Sequence, residues 1–333
     1  VYSLQTTATS KMFLHLFLPL CQFQKSISFC SNFSTDKITY QVEDYNSVYR
    51  EFTSSTVSIS EDVNTINIKN NSITTLCKNL FNLSFAVDRV NIINSSVNDL
   101  EPDFLKDQEI VALNIELNDI KRLKTHTFKA LELTYLFLPS NNIEEIENAA
   151  FVDLTKLETI NLSRNKLSVL NPKAFCNLPY VHSLFLDDNR IKRVMEKFSL
   201  GFTKMNLFLL DLNNNSMTYL NESLFQETSV IIVLAMRSVS LSVLSVNIFH
   251  KCKYESVDLR GNQIHTLTGD LHLGNFAIAR LMVEDNFDHE TLKKLKNWTS
   301  MNKIGLSLEK SSFGLENSGN GLGLDIFFSV FIV

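Results

Sequence analysis

The hydrophobic and polar positions of this chain repeat one pattern ten times between Val63 and Phe287. Each copy reads L-x-x-L-x-L-x-x-N-x-L, where L stands for an apolar residue. The clearest copy runs from Leu157 to Leu170, and Phe175 follows it. Successive copies begin 23 to 26 residues apart. A fixed period of this kind indicates a solenoid, in which each copy forms one turn and packs only against its neighbours.

Within each copy, two apolar residues flank a single outward position, as Ile160 and Leu162 flank Asn161. This alternation predicts a β-strand, because alternate side chains of a strand face the same side. The period lies in the range of about 20–29 residues found for leucine-rich repeats. We therefore predict an α/β repeat solenoid, a leucine-rich-repeat horseshoe of about ten repeats with a parallel sheet on its concave face.

An Asn follows most of the predicted strands. Its amide can donate and accept hydrogen bonds where the chain turns away from the sheet. A buried ladder is thus predicted from Asn71, Asn118, Asn141, Asn165, Asn189, Asn215, Asn262 and Asn286. Ser95 and Val239 interrupt it; Ser can still form hydrogen bonds, whereas Val239 predicts a local fault or a bound water. A column of Phe predicts packing on the outer side: Phe81, Phe104, Phe128, Phe151, Phe175, Phe198, Phe225 and Phe249.

The N-terminal part of the chain predicts a signal and a cap. The apolar run after Lys11 and Met12 is typical of a secretory signal, so residues 1–29 are interpreted as upstream residues and signal peptide. A buried strand is the alternative. Alternating apolar residues in 30–62 then predict an N-terminal β cap that covers the first of the repeats, which occupy 63–287.

The C-terminal part predicts a second cap and a tail. Residues 288–310 form the predicted capping segment, where Asp288 can cap a helix that places Leu295 and Trp298 on one face. The tail, 311–333, is rich in Gly and Ser and ends in a short apolar run. It is shorter than the roughly 20 residues that span a bilayer. A truncated or mis-spliced end is favoured over a lipid-anchor signal, which needs a longer polar spacer.

Net charge and sequons narrow the class of protein. The net charge is −5, and Lys and Arg are scattered, so no nucleic-acid partner is predicted. Eight N-x-S/T sequons agree with secretion. The predicted glycosylation sites are Asn32, Asn70, Asn82, Asn94, Asn161, Asn214, Asn221 and Asn297. A glycan on Asn161 would occupy the middle of the concave face.

The chain has five Cys, of which Cys21 falls in the predicted signal peptide. Cys30 and Cys77 lie near the first repeat and are candidates for a disulfide. Cys176 and Cys252 lie about three repeats apart, which at roughly 4.8 Å per strand is too far for a bridge. Each of them is interpreted as a buried thiol, with an intermolecular bridge as the alternative.

Three aromatic residues stand out among the outward positions of the concave face. Aromatic side chains are enriched at binding hot spots. The predicted protein-binding residues are Tyr135, Phe137, Phe185, Asp187, Asp211, Arg237 and Arg260. Alternatively, a neighbouring loop or a glycan covers the aromatics, and the charged band towards the C-terminus is a solvated face.

Catalytic and cofactor motifs do not emerge from the sequence. His250 and Cys252 lie close together, but no third group is evident to activate the thiol. The chain has no H-E-x-x-H, no C-x-x-C and no Gly-rich phosphate loop. We therefore predict neither an enzyme nor a cofactor or metal site.

Three stretches resemble the mosquito leucine-rich immune proteins, within the insect extracellular leucine-rich-repeat proteins. They are residues 66–76, which resemble that family's first repeat, 110–178, which follow its middle repeats, and 285–292, which resemble its closing cap. His289 stands at the cap Cys position, and no heptad region follows Trp298, so the chain resembles a short form without a coiled coil. Members of that family circulate in haemolymph, and some bind complement-like thioester proteins. The resemblance implies a similar kind of partner here.

Two functions remain open on this evidence. The first is a secreted recognition protein, in insect innate immunity, that binds a protein partner on its concave face. The second is a cell-surface adhesion or receptor-type protein; its lipid anchor would be attached at Asn317, Ser318 or Gly319. An intracellular adaptor is a more distant third.

Overall fold

The computed structural model describes residues 38–43, 49–54, 57–59, 63–77, 80–128, 132–151, 154–175, 178–194, 206–222, 225, 230–250, 252–272, 274 and 276–309. The strands are β1 (Ile38–Glu43), β2 (Tyr49–Ser54), β3 (Val57–Ile59), β4 (Thr65–Lys69), β5 (Thr75–Leu76), β6 (Phe81–Leu83), β7 (Val87–Ile93), β8 (Asp99–Leu100), β9 (Ile110–Glu116), β10 (Arg122–Leu123), β11 (Tyr135–Phe137), β12 (Glu145–Ile146), β13 (Thr159–Asn161), β14 (Val169–Leu170), β15 (Ser183–Phe185), β16 (Arg193–Val194), β17 (Asn206–Asp211), β18 (Val230–Ala235), β19 (Val243–Ser245), β20 (Lys253–Asp258), β21 (Thr266–Thr268), β22 (Ile278–Glu284) and β23 (Gly305–Glu309). One α-helix, α1 (His289–Met301), and two 3-10 turns, Pro172–Phe175 and Val246–Phe249, complete the described elements.

One sheet of thirteen strands runs the length of the solenoid. Its order is β2-β1-β4-β7-β9-β11-β13-β15-β17-β18-β20-β22-β23. The ten strands from β4 to β22 carry the ten copies of the repeat, and each pairs in parallel with the next. The predicted leucine-rich-repeat solenoid with an inner parallel sheet is therefore confirmed.

The outer side consists of short strands and stacked rings. Two-residue strands such as β10 and β12 pair in parallel between neighbouring turns. The described Phe of the predicted column are all buried. Phe151 packs between Phe128, at a centroid distance of 5.6 Å, and Phe175, at 5.3 Å. Phe198 lies outside the described residues. The column fills the space between the inner strands and the outer turns.

The predicted Asn ladder forms, and six of its eight Asn are buried, whereas Asn71 and Asn286 at its two ends are half-buried. The Nδ2 of Asn165 donates to the main-chain oxygen of Leu138 in the previous turn, at 2.9 Å, and to that of Leu162 in its own turn, at 3.0 Å. Its Oδ1 accepts from the Ile143 N–H at 2.9 Å. The other buried Asn bond main-chain oxygens of two adjacent turns in the same way, so these groups are satisfied away from water.

The two exceptions in the ladder behave differently. Ser95 keeps part of the pattern, because its hydroxyl donates to the Ile93 oxygen at 3.0 Å. The Val239 side chain is fully buried and cannot form hydrogen bonds. The oxygens of Leu212 and Met236, which an Asn at position 239 would bond, still accept from Asn215 and Asn262. The Met217 N–H has no acceptor within the described part of the chain, whereas the equivalent N–H of Ile191 in the preceding turn donates to Asn215. The predicted fault is therefore one unpaired N–H group.

The N-terminal cap is antiparallel, unlike the repeats. Strand β1 pairs with β2 on one side and with β4 on the other. Asn71 fixes this junction: its Oδ1 accepts from the Thr39 N–H and its Nδ2 donates to the Thr39 oxygen, both at 2.9 Å. Strand β3 does not lie on the inner sheet; it pairs with β6 on the outer side. The cap thus extends the inner sheet by two strands, of which β1 pairs directly with the first repeat and β2 forms the edge.

The C-terminal cap contains the predicted helix. Asp288 caps α1 by accepting hydrogen bonds from the main-chain N–H groups of Glu290 and Thr291. Leu295 and Trp298 are buried, and the Trp298 ring lies 5.2 Å from that of Phe276. Strand β23 follows the helix and pairs in parallel with β22, which the sequence pattern did not predict. The closing unit is therefore a helix followed by a strand.

Candidate functional site

Side chains of the inner strands form rows across the concave face. The middle row is the residue between the two buried positions of each strand: Asn67, Asn91, Asn114, Phe137, Asn161, Phe185, Asp211, Ala235, Asp258 and Met282. Neighbours in a row are one strand apart, roughly 4.8 Å. Side chains in this row therefore touch their neighbours and are partly buried by them.

Two of the predicted aromatic residues form a stacked pair on β11. Tyr135 and Phe137 are both half-buried, and their rings lie 6.4 Å apart with an interplanar angle of 5°. Phe185 lies two strands further along the middle row, with Asn161 between the two Phe residues. We call Tyr135, Phe137 and Phe185 the aromatic patch. Asn161 separates the stacked pair on β11 from Phe185 on β15.

Asn161 is buried in the middle of this patch. Only 9% of the residue is exposed, and its Oδ1 accepts from the Ser163 N–H at 2.9 Å and from the Ser163 hydroxyl at 2.7 Å. The residue that completes the sequon is thus its hydrogen-bond partner. The local structure leaves little room for a glycan between Phe137 and Phe185.

Glu158 and His182 adjoin the aromatic patch, although they were not among the predicted binding residues. Burial raises the pKa of Tyr135, and the neighbouring Glu158 carboxylate raises it further. The Oε2 atom of Glu158 also lies 3.5 Å from the Nε2 atom of His182. Glu158 and His182 stand at the position before the first outward residue of each strand. Only Glu158 and Glu255 share a residue type at that position among the ten copies, so the repeat pattern gave no signal there.

Asp187 and Asp211 form an acidic pair beside Phe185. Asp211 neighbours Phe185 in the middle row and is only 4% exposed. Burial raises the pKa of Asp211 to about 7, and the carboxylate of Asp187 adds to this rise. Burial likewise raises the pKa of Asp187 to about 6. Neither carboxylate has an ion-pair partner among the residues that the structure describes.

The two predicted arginines belong to a different cluster. Arg260 forms a fork with Asp258, with Nε to Oδ1 at 2.9 Å and Nη2 to Oδ2 at 2.7 Å, and also pairs with Glu309 of β23. Arg237 reaches the same Asp258 at 3.1 Å. The structure therefore brings Tyr135, Phe137, Phe185, Asp187 and Asp211 to the central strands, and places Arg237 and Arg260 around Asp258 near the C-terminal cap.

Most of the described sequons lie on the surface. Asn70, Asn94 and Asn214 are exposed, and each adopts a left-handed conformation in the turn after its strand. Asn221 and Asn297 are exposed as well. Asn82 lies in β6, and Asn32 falls outside the described residues. Glycans at the five exposed positions would lie away from the middle row.

Two of the five cysteines can be described. Cys77 is disulfide-bonded, whereas Cys21, Cys30 and Cys176 lie outside the described residues, so the Cys30–Cys77 pairing stays a prediction. Cys252 is a free, buried thiol, which agrees with the prediction that it does not pair with Cys176. Burial raises the pKa of Cys252 to about 11. This change opposes formation of a reactive thiolate.

The described residues contain neither a candidate metal site nor a candidate membrane-spanning helix. No group of three or more His, Cys, Asp or Glu side chains is placed to hold a metal ion in the described ranges. Within the same part of the chain, no helix has the length and hydrophobicity needed to cross a membrane. The predicted lipid-anchor region at Asn317 to Gly319 lies outside it.

Comparison with known families identifies the repeats. A model described as leucine rich repeat matches residues 132–191, and one described as BspA type leucine rich repeat region (6 copies) matches 170–270. The matched residues include the strands that carry the aromatic patch and the acidic pair. The chain thus contains leucine-rich repeats, and neither matching model describes an enzyme.

Individual relatives match over part of the chain. Human leucine-rich repeats and immunoglobulin-like domains protein 3 is 32% identical over 142 residues, which cover 42% of this chain and 12% of that protein. Toll-like receptor 2 type-1 of Gallus gallus is 31% identical over 119 residues, 35% of this chain and 15% of the receptor. Among solved structures, the LRIM1/APL1C complex matches with a TM-score of 0.37 and 16% identity, over 78% of this chain and 44% of the other. This chain spans far less than two thirds of both relatives.

Proposed function

We propose that the protein is an extracellular recognition protein that binds a protein partner through the centre of its concave face. The contact surface consists of the aromatic patch and the acidic pair, on strands β11 to β17. The observation that carries the proposal is the placement of the half-buried Tyr135, Phe137 and Phe185 on the concave side. They adjoin the buried Asp211 and the half-buried Asp187, neither of which forms an ion pair in the described part of the chain.

The chemistry of this surface suits a protein partner. Aromatic rings supply a large contact area with few rotatable bonds, and hot spots are rich in them. The C-terminal end of the same face differs, because Arg237, Asp258 and Arg260 already satisfy one another. A partner would have to break those pairs to use them. The centre of the sheet is therefore the surface best suited to binding.

The extracellular setting and the immune role rest on other features. Five exposed sequons, among them Asn214 and Asn297, agree with passage through the secretory pathway. The first-repeat and closing stretches resemble those of the mosquito leucine-rich immune proteins. In its more specific form, the proposal is that the protein acts in insect innate immunity and binds a complement-like thioester protein.

Replacement of the aromatic patch tests the proposal. The triple variant Tyr135→Ser, Phe137→Ser, Phe185→Ser should lose its partner in pull-downs from insect plasma. The partner, identified by mass spectrometry from the wild-type pull-down, should bind the purified variant at least tenfold more weakly. Tyr180→Ser is the matched control, since Tyr180 is 64% exposed and lies outside the inner strands. Unchanged affinity in a triple variant that keeps its circular dichroism spectrum would refute the site.

A receptor-type protein on the cell surface is the second candidate. The match to a Toll-like receptor over 119 residues favours it. Phosphatidylinositol-specific phospholipase should release such a protein from expressing cells if a lipid anchor holds it. Recovery of all of the protein in the medium without that treatment would instead support the secreted form.

A further inference from the structure

Asp211 is a buried carboxylate with one unused oxygen. Its Oδ1 accepts from the Asn213 N–H at 2.9 Å, while Oδ2 has no hydrogen-bond partner in the part of the chain that the structure describes. The residue is 96% buried and faces the concave side beside Phe185. A buried carboxylate normally has a cation or several donors, because burial of an unpaired charge is costly.

The cations of this protein that lie nearby already have partners. Arg164 pairs with Asp188, at 3.8 Å, on the exposed turn. Arg237 pairs with Asp258 at 3.1 Å, and Arg260 binds Asp258 and Glu309. Arg164 attracts the Asp187 carboxylate without contacting it, and no described side chain forms an ion pair with either acid, so the acidic pair keeps a local excess of negative charge.

The surroundings of the pair distinguish between kinds of cation. Phe185 adjoins Asp211, and the stacked rings of Tyr135 and Phe137 lie two strands from Phe185 and three from Asp211. A divalent metal would need further oxygen ligands, and no third acidic, His or Cys group in the described ranges completes such a set. A side chain with an alkyl stem and a terminal cation suits this surface, because the stem can pack on the Phe185 ring while the charge meets the carboxylates of Asp187 and Asp211.

We infer that Asp187, Asp211 and Phe185 form a site for a lysine or arginine side chain of the protein partner. The inference rests on the proposed function and adds the chemistry of the partner. The cationic group lies between the two carboxylates and accounts for the unused Oδ2 of Asp211. The apolar residues next to it in the partner pack on Tyr135 and Phe137.

A random peptide library displayed on phage tests the inference without knowledge of the natural partner. The library is selected on three proteins: the wild type, the triple Ser variant of the aromatic patch, and the double variant Asp187→Asn, Asp211→Asn, which we call the Asn pair. The control is Asp119→Asn, at an exposed turn position whose hydrogen bond with Asn142 the Asn side chain can keep. Peptides selected on the wild type and the control should be rich in Lys or Arg beside apolar residues. This enrichment should vanish on the Asn pair.

The best peptide then provides a double-mutant cycle. Replacement of its basic residue by a neutral isostere, citrulline for arginine or norleucine for lysine, should weaken binding to the wild type at least tenfold by calorimetry. The same replacement should change binding to the Asn pair by less than twofold, because the charge partner is absent. Equal weakening on both proteins overturns the inference.

The failures of the inference and of the proposed function give different results. Peptides without basic residues that still need the aromatic patch overturn the cationic site and leave the concave-face function intact. A library that yields nothing bound more tightly by the wild type than by the triple Ser variant counts against both. The Asn pair preserves shape and the hydrogen bond from Asn213, so its folding is checked by thermal unfolding alone.

Discussion

Asn189 donates a hydrogen bond from its side-chain Nδ2 to the main-chain oxygen of Leu162, at 2.9 Å, and so joins its own turn to the preceding one. The same nitrogen also reaches the oxygen of Leu186, at 3.1 Å, while Oδ1 accepts from the Leu167 N–H at 3.0 Å. One side chain therefore satisfies main-chain groups in two turns. This arrangement leads to the first two predictions.

Asn189→Leu should destabilise the protein by about 1–3 kcal/mol, because the buried Leu167 N–H loses its acceptor and an unpaired buried main-chain group costs about that much. The oxygens of Leu162 and Leu186 keep hydrogen bonds from Asn165 and Asn215. Urea unfolding followed by circular dichroism measures the loss. Asn142→Ala is the control: its amide bonds Asp119 at an exposed position, and its removal should cost less than about 1 kcal/mol. Similar losses for the two variants would contradict the role given to the ladder.

Val239→Asn tests the same ladder in the opposite direction. An Asn there can accept from the Met217 N–H, which has no acceptor in the described part of the chain. The new hydrogen bonds should offset the lost apolar burial, so the free energy of unfolding should change by less than about 1 kcal/mol. The buried neighbour Leu241 provides the comparison. Leu241→Asn has no such groups to satisfy and should destabilise by about 3 kcal/mol or more.

The repeat pattern predicted the inner strands, the Asn ladder and the Phe column, because each repeats with the period and depends on local chemistry. Strand β23 was not predicted, since it follows the last repeat and is held by pairing with β22, which is a tertiary interaction. The same reason explains why β3 pairs with β6 and does not cover the inner sheet.

The candidate site could be predicted only in part. The pattern shows which side chains face the concave side, and so it identified Phe185 and Asp211. It does not show how strongly neighbours bury them. The burial of Asn161 between two Phe side chains, and the capture of Arg260 by Asp258 and Glu309, depend on side-chain positions across strands. Such contacts have no sequence signal when no single residue type recurs.

The acidic pair should make stability depend on pH. Burial raises the folded pKa of Asp211 to about 7 from the ordinary 3.8, with further contributions from Asp187, Asp188 and Asp258. The folded state thus binds the proton more tightly than the unfolded state. The stabilisation is complete below about pH 4 and is lost as the pH rises through about 7.

Asp211→Asn should therefore raise the melting temperature at pH 8, where the wild type holds an unpaired buried charge. The gain should be at most about 4 kcal/mol, as about 1.4 kcal/mol corresponds to each pKa unit. At pH 5 the gain should fall to about 2 kcal/mol or less, because the folded carboxyl is then protonated and only the unfolded state has lost its proton. Calorimetric scans at both pH values measure this. A difference that is as large at pH 5 as at pH 8 would show that the charge is not the cause.

Arg260 should hold the C-terminal cap to the repeats, because it joins Asp258 of β20 to Glu309 of β23 across the intervening strand β22. Arg260→Met leaves the Asp258 carboxylate with Arg237 alone and should destabilise the protein by about 2–4 kcal/mol. Hydrogen exchange of residues 305–309 should accelerate. Arg280→Met, on the neighbouring strand β22, is the control, since Arg280 is exposed and has no ion pair in the described ranges. Equal exchange rates in β23 for both variants would remove Arg260 from this role.

Glycan mapping should show Asn161 unmodified while Asn214 carries a glycan. Asn161 is 9% exposed and bonded to Ser163, whereas Asn214 is exposed in a turn. A glycan on Asn161 would separate Phe137 from Phe185 and cover the aromatic patch. Peptides from protein secreted by insect cells, treated with a glycosidase in heavy-oxygen water, should carry the mass label at Asn214 and not at Asn161. Asn161→Gln should then leave the electrophoretic mobility unchanged, and Asn214→Gln should increase it. Label at Asn161 in folded, partner-binding protein would show that the centre of the concave face is not the contact surface.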